Sequence, residues 1–258
     1  MEKIIKPHGM SSEKARRIKL RGQNKEHIYS MIIGGEVIRG TKKEDVKDAK
    51  GKIHSLKGGS EIQKKSGRHG KWQIFLYKKS RFEQEKGFYA RNIFIKILDT
   101  FPKTHNEYQK NKGEIKQKIT IPMRELKEFL SNKKNRFNFF NKSFFDERVD
   151  FFVIYDDEAF YIFDRDEVIK TFMDNLEVGN SSTFQKVVFK FNNKIIAEIE
   201  CRTTDDGKYP AILFNMQKRP AFDLLTNKIK EHKKLKHILN IYGEAIDYFT
   251  DYFSEGKK

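Results

Sequence analysis

The chain has 258 residues, with Lys+Arg 53 against Asp+Glu 36 and a formal net charge of +17. A hydrophobic fraction of 37%, with 23 Phe and 10 Tyr, is enough to bury a core and excludes general disorder. So large a positive charge repels itself unless an anionic partner screens it, and a nucleic-acid backbone does so through phosphate contacts and counterion release. An AT-biased genome, which inflates Lys and Asn, is the plain alternative source of that charge. No long apolar segment or basic amphipathic anchor stands out, so no membrane association is expected. Cys201 is the single cysteine, which excludes an intramolecular disulfide and a cysteine zinc site within one chain. The opening MEKIIKPHGM lacks an apolar signal core, and cytoplasmic residence is the expectation.

In chain order, residues 11–31 are rich in helix formers, with Ser11 or Ser12 as cap and Gly22 as a break. A second helical stretch over 23–33 stops at Gly34-Gly35. Short extended pieces are expected over 36–39, 45–49, 52–57 and 71–77, with an exposed polar loop over 61–70. The pattern is helical over 81–98 and again over 122–131, where Pro122 near the start costs little. Between them, 104–117 is strongly charged and reads as a mobile loop or an exposed helix. Phe137, Phe139, Phe140, Phe144 and Phe145 are expected in the core.

Further on, 151–155 and 159–163 read as a hairpin around Asp156-Asp157, and 168–176 as a short helix. A second hairpin joins 185–191 to 194–202 across Asn192-Asn193, and 211–217 is another strand. The rest reads as helix over 220–253, broken near Lys233-Lys234, with 228–236 an exposed charged face. There is no internal repeat or low-complexity linker. The expectation is one α/β domain over 1–258, or two intimately packed lobes.

The segment GTKKEDVKDAKGKIHSLKGGSEIQ, residues 40–63, carries the most chemistry. A three-residue loop Ala49-Lys50-Gly51, with Gly51 left-handed, sets Asp45 opposite Ser55. Side-chain alternation then puts Ser55 and Lys57 on the face of Asp45, so an acid and an ammonium converge. A two-residue turn would set Asp48 opposite Ile53 and assemble nothing useful. The first arrangement suits phosphodiester hydrolysis. A carboxylate can hold Mg2+, which needs few protein ligands, and a lysine can orient the attacking water or stabilise developing charge.

On these residues the chain resembles the PD-(D/E)XK nuclease superfamily, in particular type II restriction endonucleases. Asp45 matches the family's Asp and Lys57 its Lys, while Ser55 stands where the second acidic residue belongs. Glu61, or Glu26 on the preceding helix, is expected to supply that carboxylate, and Gln63 to assist with ligand waters or the phosphate. The resemblance implies a central mixed β-sheet flanked by helices, a catalytic core over about 22–100 and recognition elements over about 150–220. It further implies Mg2+ as cofactor and sequence-specific cleavage of double-stranded DNA within a restriction-modification system. A homodimer, and no small-molecule cofactor, complete that expectation.

Duplex contacts are expected from the basic run Arg16, Arg17, Lys19 and Arg21, and from Lys64, Lys65, Arg68, His69 and Lys71 after the proposed site. Arg202, Thr203, Thr204 and Asn215 are placed to reach bases or phosphates from two later strands joined by an Asp-Asp-Gly turn. His232 and His237 are five apart, off one helical face, and no histidines pair at zinc spacing; His27 and His54 are expected to be structural. No phosphate-binding P-loop, dinucleotide fingerprint or nucleophile elbow is present. The rival reading is a basic nucleic-acid-binding module without chemistry.

Overall fold

The computed structural model describes residues 12–40, 43–58, 70–145, 148–204 and 207–255. Helix α1 (Ser12–Ile33) runs unbroken through Gly22, where a break was expected. One glycine costs a helix only about 1 kcal/mol, less than is gained by burying Tyr29 and Ile33 beyond it. Gly34, at φ 64°, ends the helix, and the Gly35 N–H reaches back to Ser30 O at 2.7 Å.

Three antiparallel strands follow: β1 (Glu36–Val37), β2 (Val46–Lys47) and β3 (Ile53–Gly58). After β4 (Lys71–Lys78) the chain forms six helices, α2 (Lys79–Gln84), α3 (Arg91–Asp99), α4 (His105–Lys110), α5 (Lys112–Lys118), α6 (Thr120–Ser131) and α7 (Lys133–Phe144). The single helix expected over 81–98 is thus two, separated around Gly87. The charged stretch is helical, opened by a Thr104–Glu107 capping box.

β5 (Phe151–Tyr155) and β6 (Phe160–Asp164) form the expected hairpin, followed by α8 (Arg165–Asn175), whose first N–H groups the Asp164 side chain caps. Next come β7 (Glu177–Asn180), β8 (Val187–Phe191), β9 (Lys194–Arg202) and β10 (Ala211–Gln217). The β8–β9 turn is closed by Asn192 and Asn193 at φ 48° and 62°, a conformation asparagine tolerates.

Here the sequence reading needs its largest correction. Instead of one broken helix, the C-terminal part is α9 (Lys218–Lys228), β11 (His232–Leu235), β12 (Leu239–Tyr242) and α10 (Ala245–Glu255). The β11–β12 connection carries Lys236 and His237 at φ 47° and 61°, residues that announce no turn. β12 is held by parallel pairing with β6, Leu239 against Phe160 and Ile241 against Ile162, a contact no local pattern reveals.

Two sheets result where one was expected. The mixed sheet has the order β1-β2-β3-β5-β6-β12-β11, and the antiparallel one β4-β10-β9-β8-β7. One large core lies between them, joining Phe152, Ile154 and Phe163 of the first to Phe75, Phe189 and Phe214 of the second, with Phe139, Phe140, Phe144 and Phe145 from α7 and the residue after it. Phe137, also expected inside, is 47% exposed, because it falls on the outer side of α7. A smaller core on the opposite face of the mixed sheet packs α1 and α10 over Val46, Leu56, Val153 and Ile162. No helix among the described residues is long and apolar enough to cross a membrane.

A buried polar network ties α1 and α10 to the β2–β3 hairpin. Tyr29 OH and His54 Nδ1 lie 2.9 Å apart, and His54 Nε2 is 3.2 Å from Asp48 Oδ2, which also accepts from Tyr248 OH at 2.6 Å. Asp48 Oδ1 accepts from the Lys50 and Lys52 N–H groups at 3.0 and 2.9 Å. Burial pushes the Asp48 carboxyl up, but its donors outweigh that and hold it below the ordinary carboxylate range. Burial lowers the His54 imidazole, against the pull of Asp48.

Asp48→Ala strands these donors in a buried site and should cost about 3 kcal/mol, read as a fall in the urea midpoint at pH 7. A loss under about 1 kcal/mol would show that the network does not hold the hairpin.

Candidate active site

The ends of β3 and β5, the start of β2 and one face of α1 come together at a single place. The turn between β2 and β3 determines the arrangement. Gly51 adopts φ 87°, its N–H donates to Asp48 O at 3.0 Å, and the Asp48 N–H donates to Lys52 O at 2.9 Å. This is the three-residue loop that the sequence suggested. Val46 pairs with His54 and Lys47 with Ile53, so one further step sets Asp45 beside Ser55.

The Asp45 carboxylate does more than share a face with its neighbours. Its Oδ2 accepts from the Leu56 N–H at 2.6 Å and from the Ser55 hydroxyl at 3.4 Å. The β2 ladder is two residues long, and the Asp45 side chain serves the β3 edge where it stops. Ser55 itself is 0% exposed and spends its hydroxyl on Asp45.

Burial raises the Asp45 carboxyl above the ordinary carboxylate range, although the Lys57 charge and the two hydrogen bonds oppose the rise. Glu26 of α1 is raised too, first by burial and then by the charge of Asp45, with Lys57 and His27 opposing. Two carboxylates and one ammonium therefore act on one another. Lys57 makes no ion pair among the described residues; its Nζ donates to Leu56 O at 3.3 Å. Tyr155, at the end of β5 and in register with Gly58, completes the group. Burial, then the charges of Glu26 and Asp45, push its phenol up to about 12.

Of the expected site residues, Asp45, Lys57 and Glu26 are brought together. Glu61, Gln63, Lys64, Lys65 and Arg68 lie outside the described residues, as does the side chain of Arg17. Arg16 is exposed on α1, and Arg21 is paired with Asp157. The strand cations are occupied by acids of their own sheet: Lys71 and Lys186 hold Glu198, and Arg202 lies 3.4 Å from Glu200. Thr203 follows the end of β9, and the Thr204 hydroxyl donates to Lys208 O at 2.8 Å within the turn. Asn215 is 7% exposed, enclosed in β10 between Gln73 and Glu198, which leaves it no face for a base. Its expected reading role is corrected accordingly.

Tyr155 escaped the sequence reading, since nothing local distinguishes the last residue of a hydrophobic strand. Only the Gly58-Gly59 pair after Lys57 signalled a need for space at this point.

The donor set suits a hard cation. Asp45 and Glu26 offer oxygen, and both are raised chiefly by burial, Glu26 also by the charge of Asp45. Against that, no group of three or more His, Cys, Asp or Glu able to hold a metal occurs among the described residues. No known family model matches the chain. No curated protein and no solved structure matches it either.

Asp45 contributes stability below the ordinary carboxylate pKa and loses it as pH rises through its raised folded value. Asn at this position keeps an acceptor for the Leu56 N–H without the charge. At pH 7, Asp45→Asn should be as stable as the parent or more so, by up to about 1 kcal/mol, with the gain vanishing in acid. Thermal melts at pH 7 and pH 4 measure this, and a clear loss at pH 7 would mean the buried charge is compensated.

Proposed function

We propose that the protein is a Mg2+-dependent endonuclease acting on double-stranded DNA, in the manner of type II restriction enzymes. The observation that carries this reading is that Asp45, Glu26 and Lys57 lie within electrostatic reach of one another near the end of β3, in a chain of net charge +17. Asp45 and Glu26 would hold the metal, with Glu26 in the role that Ser55 cannot fill. Bound there, the ion would polarise a phosphate and acidify a water. The Leu56 N–H and the Ser55 hydroxyl fix the Asp45 carboxylate, so its orientation is set before any ligand arrives. Lys57 has no carboxylate partner among the described residues and is free to meet the charge that develops on the phosphate oxygens. Exposed lysines and arginines elsewhere draw the duplex to the surface. Dimerisation, which would let two sites cut both strands, is part of the same proposal.

The shortage of carboxylates among the described residues favours a second reading, a basic nucleic-acid-binding module. Incubation of purified protein with plasmid DNA, with and without Mg2+, separates the two. Discrete fragments that need the metal, with cleavage lowered at least about 10²-fold by Asp45→Ala or Lys57→Ala while gel shifts persist, support the enzyme. Intact DNA that shifts under every condition supports the module.

The pH dependence carries a sign. Both carboxylates must be ionised to bind the cation and both are raised, so cleavage at limiting Mg2+ should fail on acidification at a higher pH than exposed carboxylates would dictate. Excess Mg2+ should move that acid limb downward. An acid limb indifferent to metal concentration would remove Asp45 and Glu26 from the metal site.

A further inference from the structure

Tyr155 stands over Gly58 in a way that only glycine permits. A Cβ built on Gly58 would lie 2.6 Å from the Tyr155 hydroxyl oxygen and 2.7 Å from the ring carbon that bears it. Gly58 cannot retreat, because the indole N–H of the buried Trp72 holds its carbonyl at 2.7 Å and its strand is paired to β5. On the other side, a Cβ on Gly22 of α1 would lie 3.5 Å from the same hydroxyl. Two glycines, one directly after Lys57 and one a turn before Glu26, thus leave room for a phenol whose ring Phe160 supports at 6.1 Å. Among the described residues no acceptor takes its proton.

The chemistry of the place calls for such a donor. Asp45 and Glu26 accept only, and of the cations that act on this group Arg21 is held by Asp157, which leaves Lys57 as the one cationic donor without a carboxylate partner among the described residues. A phosphate in transfer spreads charge over several oxygens, and one ammonium cannot meet them all. We propose that Tyr155 is a further catalytic residue, its neutral hydroxyl donating a hydrogen bond to a non-bridging oxygen of the scissile phosphate. Gly58 is the position that admits it. This rests on the endonuclease reading. Gly58 also gives the residue after the lysine a defined task, to keep Cβ out of the space the phenol occupies.

The test is Tyr155→Phe, which keeps the ring over Gly58 and removes one oxygen. Single-turnover cleavage of plasmid DNA in Mg2+ is measured beside the parent and Asp45→Ala, with duplex affinity and thermal midpoint determined for each. The expected result is a fall in the cleavage rate of about 10²-fold, with affinity within about twofold and the midpoint unchanged. Gly58→Ala should lower the rate similarly by displacing the phenol. A Tyr155→Phe rate within about twofold of the parent, in a protein that Asp45→Ala inactivates, overturns the role of Tyr155 and leaves the endonuclease standing. A Tyr155→Phe loss that follows weakened duplex binding or a lowered midpoint also overturns it. A parent protein that cuts no DNA overturns both.

Discussion

Asp48 is gripped from several directions, and the geometry of the candidate site depends on that grip. Its one oxygen takes the N–H groups of Lys50 and Lys52, and the other meets His54 and Tyr248. The first pair closes the turn at three residues, and the second ties it to the mixed sheet and to α10. Because strand faces alternate, a turn one residue shorter or longer would carry Asp45 away from Ser55 and Leu56. The carboxylate beside the site is thus placed by a second carboxylate three residues on. Two acids so close in sequence have opposite environments. Asp48 is rich in donors and held low, whereas Asp45 is half-buried with fewer and held high.

That contrast distinguishes the two acids by the balance of their surroundings. Donors that outnumber the cost of burial mark a group kept for stability, as at Asp48. Groups left partly uncompensated, as at Asp45 and Glu26, make the folded state less favourable than it could be. Folded chains retain such places where a ligand completes the charge balance. The same contrast appears on the antiparallel sheet, where Lys71, Lys186 and Arg202 are matched by Glu198 and Glu200. Their sequence neighbourhood reads as a basic surface, yet each of the three is paired with one of two acids on the same sheet. Basic residues are therefore poor guides to a phosphate surface until their own acids are located.

The two sheets meet through aromatic rings. Phe139 of α7 packs against Phe75, Phe189 and Phe214, with ring centroids 6.5, 5.7 and 4.9 Å apart, and Phe144 joins Phe152 to Phe214. This shared core fixes β4 relative to β3, and with it the Trp72 contact that pins Gly58. Close-packed interiors transmit position well, because they resist local deformation. The end of β3 is consequently held from the hairpin side by Asp45 and from the core side by Trp72.

The amino-acid sequence by itself determined what depends on near neighbours. The β2–β3 loop with its left-handed Gly51, the Asn192-Asn193 hairpin, the helix stop at Gly34 and strand β10 are all set within a few residues. Turn chemistry and alternation act at that range. The convergence of Asp45 with Lys57 followed from the loop alone. Tertiary structure decided the rest. The β11–β12 hairpin lacks turn residues and exists because Leu239 and Ile241 gain burial beside β6, far earlier in the chain. The division into two sheets, the burial of Asn215 and the pairing of Lys71 with Glu198 depend equally on partners distant in sequence. So does Tyr155, which β5 carries to Gly58 by parallel pairing. Burial free energy is gained only when such segments meet, and so it leaves no mark on any one of them alone.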